Sequence, residues 1–110
     1  MFAFLVALAA APAPHLYMQV YSFPEADSCT RWTQYRAEKT SNPLQGWVLG
    51  FVSGRNAFGS GNGNIAPGLT AEGLTVWIDR YCMANPRESV TTAGVKLVDE
   101  LERQDSGKHR

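Results

Sequence analysis

One spacing of apolar residues recurs along the chain, and it is the spacing of an amphipathic α-helix. Between Pro43 and Phe58 the apolar residues fall at i, i+3, i+4, i+7 and i+8, which forms a continuous stripe along one helical face. The segment 71–84 repeats this spacing, and a similar stripe runs from Val90 to Leu101. With a further helix around Cys29, these stripes predict an all-α fold, a compact four-helix domain. The first two stripes consist of Leu44, Trp47, Val48, Phe51 and Val52, and of Leu74, Trp77, Ile78, Tyr81 and Cys82.

Capping residues predict where the helices begin and end. Asn42 followed by Pro43 favours a helix start, because Asn accepts a hydrogen bond from the first turn and Pro fits the first helical position. Thr70 predicts the start of the third helix, and Asn85–Pro86 is expected to end it and to start the fourth. The predicted segments are an extended lead-in over 14–24, a helix over 25–39, a four-helix domain over 25–103 and a disordered tail over 104–110.

Three glycines spaced by four lie on the second predicted helix. Each costs about 1 kcal/mol of helix stability relative to Ala. We expect Gly46, Gly50 and Gly54 to be helix-packing residues that allow close approach of another backbone or of a bulky ring. The alternative is a bent or partly irregular helix.

Cys29 and Cys82 are the only cysteines in the sequence. An even count in an exported chain predicts one disulfide, because export leads to an oxidising compartment. Closing a loop of about 54 residues would stabilise the fold by roughly 4 kcal/mol in the chain-entropy account. The alternative is a pair of buried free thiols.

The first thirteen residues are apolar except for Pro12. This stretch is too short to span a bilayer, which takes about 20 apolar residues, and it resembles the hydrophobic region of a signal peptide. Residues 1–13 are therefore predicted to be a signal peptide, and the protein is expected to be periplasmic or secreted. The alternative is a hydrophobic arm that packs on the domain.

The charged residues balance, with 10 Lys+Arg against 10 Asp+Glu. Proteins that bind nucleic acid usually carry a basic patch that displaces phosphate counterions, so this balance argues against such a partner. A membrane is expected as a partner only through an uncleaved leader.

The residue types of common catalytic centres are scarce. The only histidines, His15 and His109, lie in the lead-in and in the tail. Glu72 and Asp79 could face one direction on the third helix, but isolated helical carboxylates are usually solvated. We therefore predict a protein that is not an enzyme and that uses no cofactor and no metal.

The candidate partner-binding residues are Arg55, Asn56 and Phe58, which precede a Gly/Asn-rich loop. Arginine and aromatic residues are enriched at protein interfaces. Trp32, Trp47 and Trp77 lie on the apolar stripes and are predicted to be core residues. We expect a protein partner for a monomer or a dimer.

The order of these motifs resembles a known family. A helix with Cys29 is followed by the element Gly50-Phe51-Val52-Ser53-Gly54, by a loop, by Cys82-Met83-Ala84-Asn85-Pro86 and by a last amphipathic helix. This order, over roughly residues 25–102, is similar to the Tai-type family of small exported bacterial proteins, which includes immunity proteins for type VI secretion effectors. The resemblance implies a helical fold, a Cys29–Cys82 disulfide, Gly50 and Gly54 as packing residues and an immunity or inhibitor function.

A looser similarity links the chain to HdeA-type periplasmic acid chaperones, which also combine a compact helical fold with one disulfide. The lysine-rich end of that family is missing, so an acid-stress chaperone is the alternative function.

Overall fold

Four α-helices follow one another in the computed structural model, which describes residues 20–21, 27–39, 42–59, 61 and 63–108. The predicted signal peptide and most of the lead-in lie outside the described residues. The prediction of an all-α, four-helix fold is confirmed. In chain order the helices are α1 (Cys29–Glu38), α2 (Pro43–Phe58), α3 (Ala71–Ala84) and α4 (Val90–Lys108).

The first three helices begin at side chains that satisfy free N–H groups of the first turn. The Asn42 side chain accepts a hydrogen bond from the Leu44 N–H, and Thr70 accepts one from the Gly73 N–H. Both helix starts therefore lie where the sequence predicts them. Helix α1 begins at Cys29 rather than at residue 25, because Ser28 is the residue that caps it.

Helix α4 begins later than predicted. Asn85 ends α3 but does not start α4, and a turn over residues 86–88 separates the two helices. Ser89 is the cap, since its hydroxyl accepts from the Thr92 N–H at 3.0 Å. Asp27 adds a second cap from outside the helix by accepting from the N–H and the hydroxyl of Thr91. The turn is needed because the segment before α1 pairs with the segment before α4, through a bridge between Ser28 and Ser89.

The end of α4 also differs from the prediction. The helix continues through most of the segment expected to be disordered and ends at Lys108. Side-chain pairs along its exposed side support this extension: Gln104 donates to the Glu100 carboxylate at 2.9 Å, and Arg103 forms an ion pair with the same carboxylate.

The core receives side chains from all four helices and from the loop before α3. Trp32 is fully buried, as predicted, whereas Trp47 and Trp77 lie partly buried at the edge of the core. These two indoles stack on the rings of Phe51 and Tyr81, at centroid distances of 5.0 and 5.6 Å. The buried apolar residues are Cys29, Trp32, Leu44, Val48, Val52, Ile65, Ala66, Leu74, Ile78, Cys82, Val90, Ala93, Leu97 and Leu101.

The predicted disulfide joins Cys29, the first residue of α1, to Cys82, near the end of α3. Both cysteines lie in the core, with 0% and 1% of their surface exposed. The crosslink spans 53 positions of sequence and fixes the N-terminal end of α1 against the C-terminal end of α3.

The glycine against which another helix packs is Gly94 of α4. A Cβ atom at this position would lie 2.9 Å from Cζ3 of Trp47, so the indole of α2 occupies the space that a side chain would need. Gly46, Gly50 and Gly54 make no such approach to any described residue. The expected packing role is corrected in this respect, because Leu44, Val48 and Val52 face the core and place these glycines toward the other side of α2.

Candidate functional site

The residues proposed from sequence as a partner-binding segment separate into different environments. Arg55 forms an ion pair with Glu102 of α4, and its side chain is only 20% exposed. The Asn56 side chain accepts from the Ile65 N–H at 2.9 Å and thereby fixes the loop after α2. Phe58 alone is free at the surface, with 92% exposure. Two of the three predicted contact residues are therefore engaged within the domain.

A different surface lies between α1 and α3, on the solvent side of the disulfide. The two helices are joined there by a polar cluster around Asp79, in addition to the covalent crosslink. The Asp79 carboxylate accepts from Nε1 of the buried Trp32 at 2.7 Å. It also accepts from Nε and Nη2 of Arg36, both at 2.9 Å, which is the bidentate geometry of a strong arginine–carboxylate pair.

A second carboxylate, Glu72, lies 3.5 Å from Nη2 of Arg36. The hydrogen bonds that Arg36 donates to Asp79 and the negative charges of both carboxylates raise the pKa of the Arg36 guanidinium above its usual value. Both carboxylates of α3 thus face the same cation of α1. This arrangement joins α1 to α3 through both carboxylates.

Beside this cluster runs a shallow groove, which we call the Met83 groove. It consists of two adjoining hollows of about 440 and 460 Å³ that share Thr33, Ala37 and Met83. One end is bordered by Pro86 and the other by Lys39. The groove is lined by Thr30, Thr33, Gln34, Arg36, Ala37, Lys39, Asp79, Cys82, Met83 and Pro86.

The large apolar side chain exposed in the Met83 groove is Met83 itself, at 74% exposure. Its thioether chain is unbranched and flexible, so it adapts to the shape of a contacting group. The wall beside it is fixed, because the Thr30 hydroxyl donates to the Pro86 carbonyl at 3.1 Å. A deformable apolar side chain therefore lies in a groove whose backbone is held on both sides.

The Pro86 end of the groove is held by a further contact. The Tyr81 hydroxyl donates to the Glu88 carboxylate, which ties the last turns of α3 to the turn before α4. This hydrogen bond is the main reason that the pKa of Tyr81 is raised to about 12, with desolvation adding to the shift. The phenol is therefore neutral at any physiological pH.

Cations border the groove. Lys39 ends α1 in the left-handed conformation, with φ of 56°, and lines the groove. Arg80 precedes Met83 by three residues and is its neighbour on the surface of α3, and Arg87 directly follows Pro86. All three are exposed, and none has a side-chain ion pair with a described residue.

Other kinds of site find no support in the described ranges. They contain no cluster of three or more His, Cys, Asp or Glu that could hold a metal ion. None of the described helices is long and apolar enough to cross a membrane. His15 and His109 lie outside the described residues.

The groove has only a weak signature in the sequence. Met83 directly follows the inward-facing Cys82, so its outward direction could be inferred from helical periodicity. The facing position of Ala37 depends on how α1 packs on α3, which no local pattern specifies. The Tai-type resemblance stays a prediction as well: comparison of the chain with family models, with curated proteins and with solved structures finds no match.

Proposed function

We propose that this protein is a small exported protein-binding domain of the inhibitor or immunity kind, and that it binds a segment of its partner in the Met83 groove. The observation that carries the proposal is the 74% exposure of Met83 beside a wall held by a hydrogen bond. Methionine is enriched at protein interfaces relative to the rest of the surface, and the residues that dominate binding lie in well-packed pockets. The occupant is a segment of another protein that offers an apolar side chain to Met83 and bears complementary charge to the cations at the rim.

The rigidity of the groove supports a binding role. The disulfide, the Arg36–Asp79 pair and the Trp32–Asp79 hydrogen bond together fix the two helices that form it. A preformed surface loses little conformational entropy when it binds, which favours affinity. The disulfide also fits an oxidising compartment and therefore supports the proposed periplasmic or secreted location.

A non-enzymatic role is part of the same proposal. The carboxylates nearest the groove, Glu72 and Asp79, are held by Arg36. They are placed to position helices rather than to exchange protons with a substrate. The proposed domain needs no cofactor and no metal, and it acts by occupying a surface of its partner.

Site-specific photo-crosslinking in the native cells tests the proposal. A benzophenone amino acid replaces Met83 in one variant, Phe58 in a second and Lys96, an exposed cation of α4, in a third. We expect the first variant to give one dominant adduct, whose crosslinked peptide belongs to another protein. That adduct should disappear when an excess of wild-type chain competes, but it should persist with the Met83→Asp chain.

The functional readout uses the identified partner. If the partner is a hydrolase, equimolar wild-type chain should inhibit it, and Met83→Asp should weaken inhibition at least about tenfold, as loss of a central contact does. Crosslinking from position 58 but not from position 83 would reject the groove in favour of the end of α2. Protection of a model client only at acidic pH, measured by light scattering, would instead support the chaperone alternative.

A further inference from the structure

We infer that the segment bound in the Met83 groove carries a carboxylate beside its apolar anchor, and that Lys39 is the residue that binds this carboxylate. The inference rests on the proposed function and adds the chemical class of the partner segment. It follows from the distribution of paired and unpaired charges around the groove.

The carboxylates close to the groove are already engaged. Asp79 and Glu72 face Arg36, and Glu38 accepts from the Gln34 amide at 3.2 Å. Glu88, in the turn beyond Pro86, accepts from the Tyr81 hydroxyl. These acids already accept hydrogen bonds within the domain, whereas Lys39, Arg80 and Arg87 have no side-chain ion pair with a described residue and are the cations that an acidic group of a partner would meet.

Lys39 is the cation best placed to meet such a group. It lines the groove directly, whereas Arg80 and Arg87 lie beside residues that do. Arg36 also borders the groove, but both of its carboxylate partners come from α3, so its charge is compensated. A carboxylate at this end of the groove would therefore be recognised mainly by the Lys39 ammonium.

The backbone at Lys39 is unusual for a lysine. Helices commonly end with a residue in the left-handed region, but that residue is usually Gly or sometimes Asn, because a Cβ atom is disfavoured there. Lys39 could stabilise α1 through the charge of the helix C-terminus. That role would be visible as a change in stability and would give no preference among ligands.

The apolar side chains of the groove favour a partner that also offers an apolar group. Ala37, Met83 and Pro86 provide contacts for such a group among the polar lining residues, and their side chains donate no hydrogen bond to a phosphate backbone. A ligand with an apolar side chain beside a carboxylate could contact Met83 and Lys39 at the same time. A peptide segment provides this combination within one helical turn, since residues i and i+3 or i+4 lie on the same face.

Peptide selection on the full, disulfide-bonded chain tests the inference. A phage library of random peptides is selected on the wild-type chain and depleted on Met83→Asp, so that the remaining peptides depend on the groove. We expect these peptides to share one large apolar residue with an Asp or Glu within a helical turn. Their affinities are then measured by fluorescence anisotropy on Lys39→Gln and on the matched surface control Lys96→Gln.

A double-mutant cycle isolates the contact. Changing the peptide's acid to its amide should weaken binding to the wild-type chain by about fivefold, the upper range for an exposed ion pair. The same change should have no further effect on Lys39→Gln and its full effect on Lys96→Gln. Thermal unfolding of Lys39→Gln then separates recognition of the carboxylate from stabilisation of α1.

The outcomes separate the two proposals. Peptides that depend on Met83 but lack acids, or a cycle without coupling at Lys39, would overturn this inference and leave the proposed function standing. No Met83-dependent peptide at all would count against both. A concentration-dependent dimer that Met83→Asp abolishes would place a second copy in the groove and would overturn the inference.

Discussion

The pairing of α1 with α3 and the pairing of α2 with α4 are held by different interactions. Helix α1 buries only Cys29 and Trp32 fully, and it is joined to α3 by the disulfide and by the Asp79 cluster. Helices α2 and α4 meet through an indole seated on Gly94, with the Arg55–Glu102 ion pair at one end.

The difference follows from the composition of the helices. A short, largely polar helix cannot bury enough apolar area to stay docked by packing alone. In α1 the disulfide and the hydrogen bonds to Asp79 compensate for the small buried area. They leave the outer side of α1 free to form the Met83 groove. Helix α2 has a longer apolar stripe, so close packing is sufficient to hold it against the core without a covalent bond.

Removing the disulfide is the change expected to have the largest effect on this contrast. The double substitution Cys29→Ala/Cys82→Ala should lower the free energy of unfolding by about 4 kcal/mol, because it restores the chain entropy of a loop closed over 53 positions. Denaturant unfolding of the variant and the wild type measures this difference.

The location of the effect is equally informative. Native-state hydrogen exchange should show that amides of α1 lose protection first, while amides of α2 and α4 keep it. Equal loss of protection in all four helices would contradict the view that the disulfide chiefly holds α1.

Two glycine substitutions test the packed pair. Gly94→Ala should destabilise the protein by about 1–2 kcal/mol, since its methyl group would displace the Trp47 ring 2.9 Å away, against a gain in helix propensity. Gly50→Ala, a matched change facing no described residue, should stabilise it by about 0.5–1 kcal/mol.

Urea unfolding followed by Trp fluorescence measures both changes in the free energy of unfolding. Opposite signs would establish that α4, not α2, provides the glycine of the interface. Destabilisation by Gly50→Ala would restore the expectation that the glycines of α2 are packing positions.

Local signals in the sequence were sufficient for much of the fold. The stripe of α2 and its Asn42–Pro43 start lie where periodicity and capping rules place them, and the disulfide was predicted from an even count of cysteines in a chain expected to be exported. The predicted start of α4 was wrong. Asn85–Pro86 has the same Asn-cap and Pro pattern as Asn42–Pro43, but the bridge between Ser28 and Ser89 places the start of the helix after Ser89.

The site depends on contacts that local patterns do not encode. Nothing near Asp79 in the sequence indicates that Trp32 and Arg36, more than forty positions away, donate to its carboxylate. The same holds for Arg55: the sequence suggests a free surface cation, but in the folded chain it forms an ion pair with Glu102 of α4. The buried face of a helix can be inferred from the spacing of its apolar residues. Which helix packs against that face depends on the packing of the whole bundle.

The last expected effect concerns pH and again separates the two pairs. The folded pKa of Tyr81 is raised to about 12 from an ordinary value of 10.0, so its hydrogen bond to Glu88 stabilises the fold fully below pH 10. Between these values the unfolded chain has released the phenolic proton and the folded chain retains it, so stability falls as pH rises. Tyr81→Phe removes this contribution, and its free energy of unfolding should decline less steeply than that of the wild type over the same interval.

Denaturant unfolding at several alkaline pH values compares the two slopes, with Tyr35→Phe as a matched aromatic control on α1. Parallel slopes for wild type and Tyr81→Phe would show that the hydrogen bond to Glu88 does not hold the turn after α3. A difference confined to Tyr81→Phe would place an alkaline-sensitive contact at the Pro86 end of the Met83 groove. The contact of Trp47 with Gly94 contains no titratable group, so we expect this contact to be indifferent to the change in pH.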